Sequence, residues 1–289
     1  MKKKITGYLL LLPSIIFISI IIMGPLIQTF YQSFFDMRTQ TMALGYHFVG
    51  LANYINLFQD KYFLDTLGWT LEFTFYSVIF EVSFALFLAL LMKKEMRGQG
   101  LIRLTILLPW SIPVIVAGIV FTKIFAHNGI INTLFVAADV VNDPVNFFGI
   151  VLNTKIVVII AEVWKSTPYL SLLILAGLLM IPNEQYEASY IDGANKVQSF
   201  FNITIPCLIP TLSVTMLFRI IGVLRAYGLM VAMTGGGPAG STRTAAMYAV
   251  DSFFRYGKIS YGSAVSVVML FVSGLISLFF INGLQGKVK

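Results

Sequence analysis

The sequence predicts an all-α, polytopic membrane protein with six transmembrane helices. Three observations lead there. The chain is 57% hydrophobic and 11% charged, with a mean hydropathy of +0.84, whereas soluble domains run at about 45–50% apolar and about 25% charged. Six segments reach the roughly 20 apolar residues that a helix needs to cross hydrocarbon, at about 7–31, 71–92, 104–126, 155–180, 207–232 and 262–283. The charges sit at the ends of those runs. A net charge of +7 could otherwise suggest nucleic acid, but cations dispersed at span ends are membrane topology rather than a binding patch.

The first span follows Met1-Lys2-Lys3-Lys4 and runs past Pro13 to about Ile27. A signal peptide's apolar region is only about 7–15 residues, so the segment reads as an uncleaved helix. The stretch from Asp36 to Gly68 suits short helices and turns at the outer surface. The second span carries Glu81 at its middle. The third has Pro109 and Pro113, four apart, which free backbone carbonyls and predict a kinked helix. In the fourth, Glu162, Lys165 and Tyr169 fall at spacings of three and four, on one helical face. In the fifth, Arg219 and Arg225 interrupt an apolar run around Gly222. No internal repeat, low-complexity tract or soluble domain stands out, so residues 1–289 read as one transmembrane domain.

Charge allocation fixes the direction of the spans. With a cytoplasmic N-terminus, ten cations fall inside: Lys2, Lys3, Lys4, Lys93, Lys94, Arg97, Arg103, Lys196, Lys287 and Lys289. Five fall outside: Arg38, Lys61, Arg243, Arg255 and Lys258. The excess of Lys and Arg on the inner side puts both termini in the cytoplasm. It also puts the polar segment 183–206 there.

That segment reads as a helix–Gly–helix bracket parallel to the membrane. Asn183 suits an N-cap, and Glu184 and Glu187 complement a helix N-terminus. Gly193 can end the first piece in the left-handed region. Asn195 and Gln198 have capping-box spacing, and Pro206 closes the bracket. An ordinary amphipathic connector and a docking element for a soluble partner both fit these residues.

The sequence Glu187-Ala188-Ser189, then Asp192-Gly193-Ala194, then Ile205-Pro206 resembles the Glu-Ala-Ala loop of ATP-binding-cassette (ABC) importer permeases, with Ser189 for the second alanine. Further matches are Arg97-Gly98, Leu108-Pro109-Trp110-Ser111-Ile112-Pro113, Trp164-Lys165-Ser166-Thr167-Pro168-Tyr169, Ile181-Pro182 and Met233-Thr234-Gly235-Gly236-Gly237-Pro238 with Thr242 and Thr244. Together they are similar to the carbohydrate importer permeases related to the larger maltose-permease subunit. The resemblance implies the type I ABC importer permease fold in a bacterial cytoplasmic membrane. It implies that Glu187, Ala188, Asp192, Gly193, Ala194 and Pro206 couple to an ATPase, with Glu187 pairing with one of its arginines. It also implies sugar contacts at Glu162, Trp164, Lys165, Ser166, Tyr169, Arg219 and Val223. The residues alone leave a second possibility open, in which Glu162, Lys165 and Arg219 form an ion-pair network holding the helices together. Glu81 stands outside the family pattern and can pair with a neighbour.

There is no G-x-x-x-x-G-K-[ST] phosphate loop, no catalytic constellation and no metal-ligand cluster, and the lone Cys207 excludes an intrachain disulfide. The chain is read as a non-enzyme without a cofactor, ATP and magnesium being used by a separate subunit. The resemblance implies a second permease, two ATP-binding subunits, an extracellular solute-binding protein, a di- or oligosaccharide substrate and surrounding lipid, with no nucleic acid. Alternatives are a glycerol-phosphate-type importer permease or an ion-gradient carrier. The latter would use Glu81 or Glu162, and the absence of inverted repeats counts against it. Neutral and acidic sugars both remain open.

Overall fold

The computed structural model of the protein describes residues 11–40, 45–94 and 97–285, with side chains to Phe280. The lysine-rich start and Lys287 and Lys289 lie outside the described residues. The helices are α1 (Leu11–Gln32), α2 (Ala52–Gln59), α3 (Lys61–Lys93), α4 (Gln99–Ser111), α5 (Val114–Ile124), α6 (Ile130–Ala137), α7 (Val151–Leu179), α8 (Asn183–Ile191), α9 (Lys196–Leu224), α10 (Gly228–Met233), α11 (Ala245–Val250) and α12 (Ile259–Gln285). Five helices are long and apolar enough to cross a membrane, and α4 with α5 makes a sixth if that bent pair counts as one span. The all-α architecture is the one expected, and the six expected spans correspond to these five helices and the bent pair.

The third span differs from its sequence reading. It is broken rather than kinked, with α4 and α5 meeting at 92°. The break falls at Ile112-Pro113. Ile112 is extended (φ −72°, ψ 132°) and so is Pro113 (φ −55°, ψ 139°), because proline disfavours the α conformation in the residue before it. Pro109 stays inside α4. The fifth span also ends early, at Leu224 rather than near residue 232. After the break, Thr244 Oγ1 donates to the Ala226 carbonyl (2.7 Å) that the helix no longer serves. The chain restarts as α10, which packs closely on α5, since a Cβ on Gly118 would lie 2.6 Å from Ala232 Cβ. Residues 61–68, expected among short surface helices and turns, instead begin the long helix α3.

Two compact units divide the chain: Met1–Leu64 with Ala245–Val272, and Asp65–Thr244 with Ser273–Lys289. In the first, Phe35-Asp36 pairs antiparallel with His47-Phe48, and Arg38 bridges to Lys258. Asp60 accepts hydrogen bonds from Tyr248 (2.6 Å) and Tyr261 (2.9 Å). Helix α1 buries none of its apolar window, which leaves its side chains for lipid or another chain; in hydrocarbon its backbone is satisfied internally.

The second unit is built on α3, α7 and α9. Ala85, Ala89 and Met92 of α3 pack with Ile174 and Leu178 of α7 and Leu208 of α9, all fully buried. Apolar burial contributes little between helices in lipid, so small residues that admit close approach matter more. Gly177 is such a residue: a Cβ there would lie 2.6 Å from Thr211 Oγ1.

Candidate functional site

The spans that carry ionisable groups converge in the second unit. Arg219 of α9 meets Glu81 of α3 through Nε–Oε2 and Nη2–Oε1, the latter at 2.7 Å, and meets Glu162 of α7 through Nη2–Oε1. Glu162 Oε1 also accepts from Ser166 Oγ at 3.1 Å. One guanidinium therefore ties three spans together. The Glu81 side chain is fully buried, and those of Arg219 and Glu162 are 16% and 10% exposed. An ion in a span is costly unless paired, so such groups face one another or a cavity. Here they do both.

A cavity of about 230 Å³ lies on this cluster, lined by Glu162, Lys165, Ser166 and Arg219 together with Gly222, Val114 and the 226–229 turn. Lys165 Nζ, at the exposed side, donates to the Trp110 carbonyl (3.4 Å), whose amide partner is missing because the helix ends near Ser111. Among the described residues, Arg219 Nη1 and Glu162 Oε2 have no hydrogen-bond partner. The cavity's lining residues thus keep one donor and one acceptor unspent, which suits a hydroxyl group, since a hydroxyl both donates and accepts.

Four of the seven expected contact residues come together there. The other three do not line this cavity. Trp164 turns to Phe121 (centroids 5.3 Å apart) and to a separate apolar groove of about 1000 Å³ between α3, α4 and α7. Tyr169 stacks on Trp110 at 5.4 Å and 15°. Val223 is fully buried in packing. Of the ion-pair network that the residues left open, the Glu162–Arg219 pair exists, its second carboxylate is Glu81, and Lys165 stands beside it without a salt bridge to either carboxylate. A carboxylate and a guanidinium, each alone in an apolar run, was the signal that could have paired Glu81 with Arg219 from sequence. The residues from Val114 and the 226–229 turn carried no such signal, because the chain breaks that deliver them were not expected.

The 183–206 segment has much of its expected local structure. Gly193 is left-handed (φ +82°). Ala194 N–H bonds to Ser189 O (2.9 Å) and Gly193 N–H to Tyr190 O (3.1 Å), the Schellman pattern that ends a helix. Asn195 and Gln198 form the full capping box, with bonds of 2.8 and 2.9 Å. Two expectations fail. Pro182, not Asn183, is the N-cap of α8. The second piece is not a separate bracket arm either, because α9 runs unbroken from Lys196 into the fifth span. It passes Pro206 through a π turn at Phe200–Thr204, where Ile205 N–H reaches back five residues to Phe200 O. The wider turn takes up the backbone disruption that proline causes. Glu187, Ala188, Asp192, Gly193 and Pro206 are exposed and Ala194 is half-buried. Glu187 has no partner among the described residues. Ser189 Oγ meets Ser199 Oγ (2.9 Å) and Tyr186 OH meets Thr204 Oγ1 (3.0 Å), which latches α8 to the foot of α9.

A polytopic helical protein with a polar cavity among its spans is a transport permease in outline. Residues 81–289 match the family model described as "Binding-protein-dependent transport system inner membrane component", and the chain belongs to that family. It is similar to the trehalose/maltose transport system permease of Thermococcus litoralis, at 34% identity over 91% of this chain and 88% of that one. The sulfoquinovosyl glycerol transport system permease of Agrobacterium fabrum is 35% identical, over 98% and 92%. The crystal structure of a bacterial ABC transporter involved in the import of the acidic polysaccharide alginate has the same fold, with a TM-score of 0.84 over 100% of this chain and 98% of that one at 21% identity. The relatives are permeases rather than enzymes, and the protein is a multi-pass membrane permease of the ABC importer kind.

Proposed function

We propose that this chain is one membrane half of an ATP-driven, binding-protein-dependent importer for di- or oligosaccharides. The observation that carries the reading is the cavity at Glu162, Lys165, Ser166 and Arg219, set between the two spans that the 183–206 segment joins. Its donor and acceptor pair suits sugar hydroxyls, and two relatives of high coverage are named for the transport of trehalose/maltose and of sulfoquinovosyl glycerol. Tyr169, stacked on Trp110, and Trp164 are aromatic surfaces for a sugar's C–H face in another state of the cycle, and Val223 supports the wall from behind. Both termini face the cytoplasm, as the cation distribution argues.

The segment at Glu187–Pro206 docks on a separate ATP-binding subunit. Glu187 offers an unpaired carboxylate to a cation of that partner, and Ala188, Asp192, Gly193 and Ala194 form the contact face. At 1.5 Å rise per residue, α7 and α9 carry a displacement there about 20–25 Å to the cavity. The Ser189–Ser199 and Tyr186–Thr204 contacts make α8 and the foot of α9 move together. ATP and magnesium act on two such ATPase subunits. A second permease completes the pathway and an extracellular solute-binding protein delivers the sugar.

The test is reconstitution into proteoliposomes with the partner permease, binding protein and labelled disaccharide, with and without the ATPase. Uptake is expected only with ATPase and ATP. Uptake by this chain alone on a proton or sodium gradient would reject the proposal.

A further inference from the structure

The charge of the cavity is decided by a residue that does not line it. We propose that Glu81 is a specificity-determining residue: from behind Arg219 it makes the site neutral overall and blocks the guanidinium's fork, so that uncharged saccharides are taken in preference to acidic ones. This rests on the reading of the cavity as a sugar site.

Both oxygens of Glu81 accept from Arg219, which is the pattern of an ionised carboxylate rather than a protonated one. The charges at the site are then Arg219 and Lys165 against Glu81 and Glu162, which cancel. The geometry matters as much as the sum. Arginine recognises a carboxylate bidentately, through two parallel N–H groups. In Arg219 the Nε and Nη2 edge is taken by Glu81, and Nη2 is shared with Glu162. Only Nη1, on the Gly222 side, remains. A sugar acid reaching the cavity would find no fork and would lie beside the Glu162 carboxylate. A hydroxyl needs one donor and one acceptor, and Nη1 with Glu162 Oε2 supplies them. Lys165, spent on the Trp110 carbonyl at the edge, adds a single point charge.

The experiment uses the assembled complex of this chain with its partner permease and ATPases in nanodiscs. Binding is measured for maltose, trehalose and lactose, each paired with the same disaccharide oxidised at C6 to a uronic acid. The wild type is expected to bind a neutral member at least tenfold more tightly than its acid. Glu81→Gln is expected to move the acid-to-neutral affinity ratio about 30-fold toward the acid, the size of one charge acting over about 8 Å at an effective dielectric of about 20. Glu81→Asp, which keeps the charge, restores the wild-type ratio, and a merely structural role would leave the ratio unmoved in all three. An unchanged ratio in an assembled Glu81→Gln complex, or a wild type that prefers the acids, overturns the inference and leaves the sugar site standing. Binding of none of the six sugars to the wild type removes the sugar site itself. If Glu81→Gln fails to assemble, Glu81→Met, which fills similar space without the charge, takes its place with the same expected shift, and an unchanged ratio in it overturns the inference.

Discussion

Replacing Arg219 with methionine removes the one cation that, among the described residues, joins α3, α7 and α9. The methionine fills similar space, so the dominant loss is electrostatic. Glu81 is fully buried and Glu162 nearly so, and the variant leaves both carboxylates without the guanidinium they share. Breaking a buried pair by removing one partner costs about 3–5 kcal/mol, mostly as the penalty on the charge left behind. Replacing a whole buried ion cluster with apolar groups of similar volume is often neutral or stabilising. Arg219→Met alone should therefore lower stability by about 3–5 kcal/mol, while Glu81→Leu/Glu162→Gln/Arg219→Met should recover to within about 1–2 kcal/mol of the wild type. The assay is equilibrium unfolding of the detergent-solubilised protein by denaturant titration, with a thermal scan alongside. A single variant as stable as the wild type, or a triple variant less stable than the single one, would refute the picture of an interdependent buried cluster.

Three further outcomes follow from other parts of the molecule. Gly177→Ala places a Cβ 2.6 Å from Thr211 Oγ1, so the stiff β-branched side chain forces α7 and α9 apart at about 1–3 kcal/mol, and Thr211→Gly in the same chain should recover most of the loss in the same unfolding assay. Asp60 is opposed by burial, which raises a carboxyl's pKa, but the hydroxyls of Tyr248 and Tyr261 and the N–H groups of Tyr62 and Phe63 outweigh it and hold the group below its ordinary value of 3.8. A carboxyl lowered on folding contributes stability that is complete above its unfolded value and lost as pH falls through the folded one, so Asp60→Asn should narrow the drop in thermal midpoint between pH 5 and pH 3, and parallel curves for the two proteins would refute it. Glu187→Lys should abolish sugar uptake in the reconstituted complex while ATP hydrolysis continues, with normal uptake as the contrary result.

The family signature and the apolar runs show how far local chemistry reaches. Gly193 in the left-handed region and the Asn195–Gln198 capping box are set by residues within three or four positions of each other, and both occur as read. The broken third span was legible only in part. Pro113 marked it, but its consequence, a 92° turn rather than a kink, depends on whether tertiary packing accepts two short helices. Gly118 against Ala232 is the contact that accepts them. The early end of α9 at Leu224 had no sequence signal, because Arg225 and Tyr227 do not stop a helix by themselves.

By itself, then, the sequence determined that the chain is an all-α polytopic membrane protein of about six spans and which family it resembles; for the side its polar loop faces it offers the cation excess alone. These follow from composition and short-range patterns, which need no partner in space. The tertiary structure decided where each ion goes. Glu81, Glu162 and Arg219 are 81, 162 and 219 in order along the chain, and no spacing relates them. Only the packing of α3, α7 and α9 makes one guanidinium serve two carboxylates. A long-range pair is a property of distance in space, and sequence periodicity describes only distance along one helix.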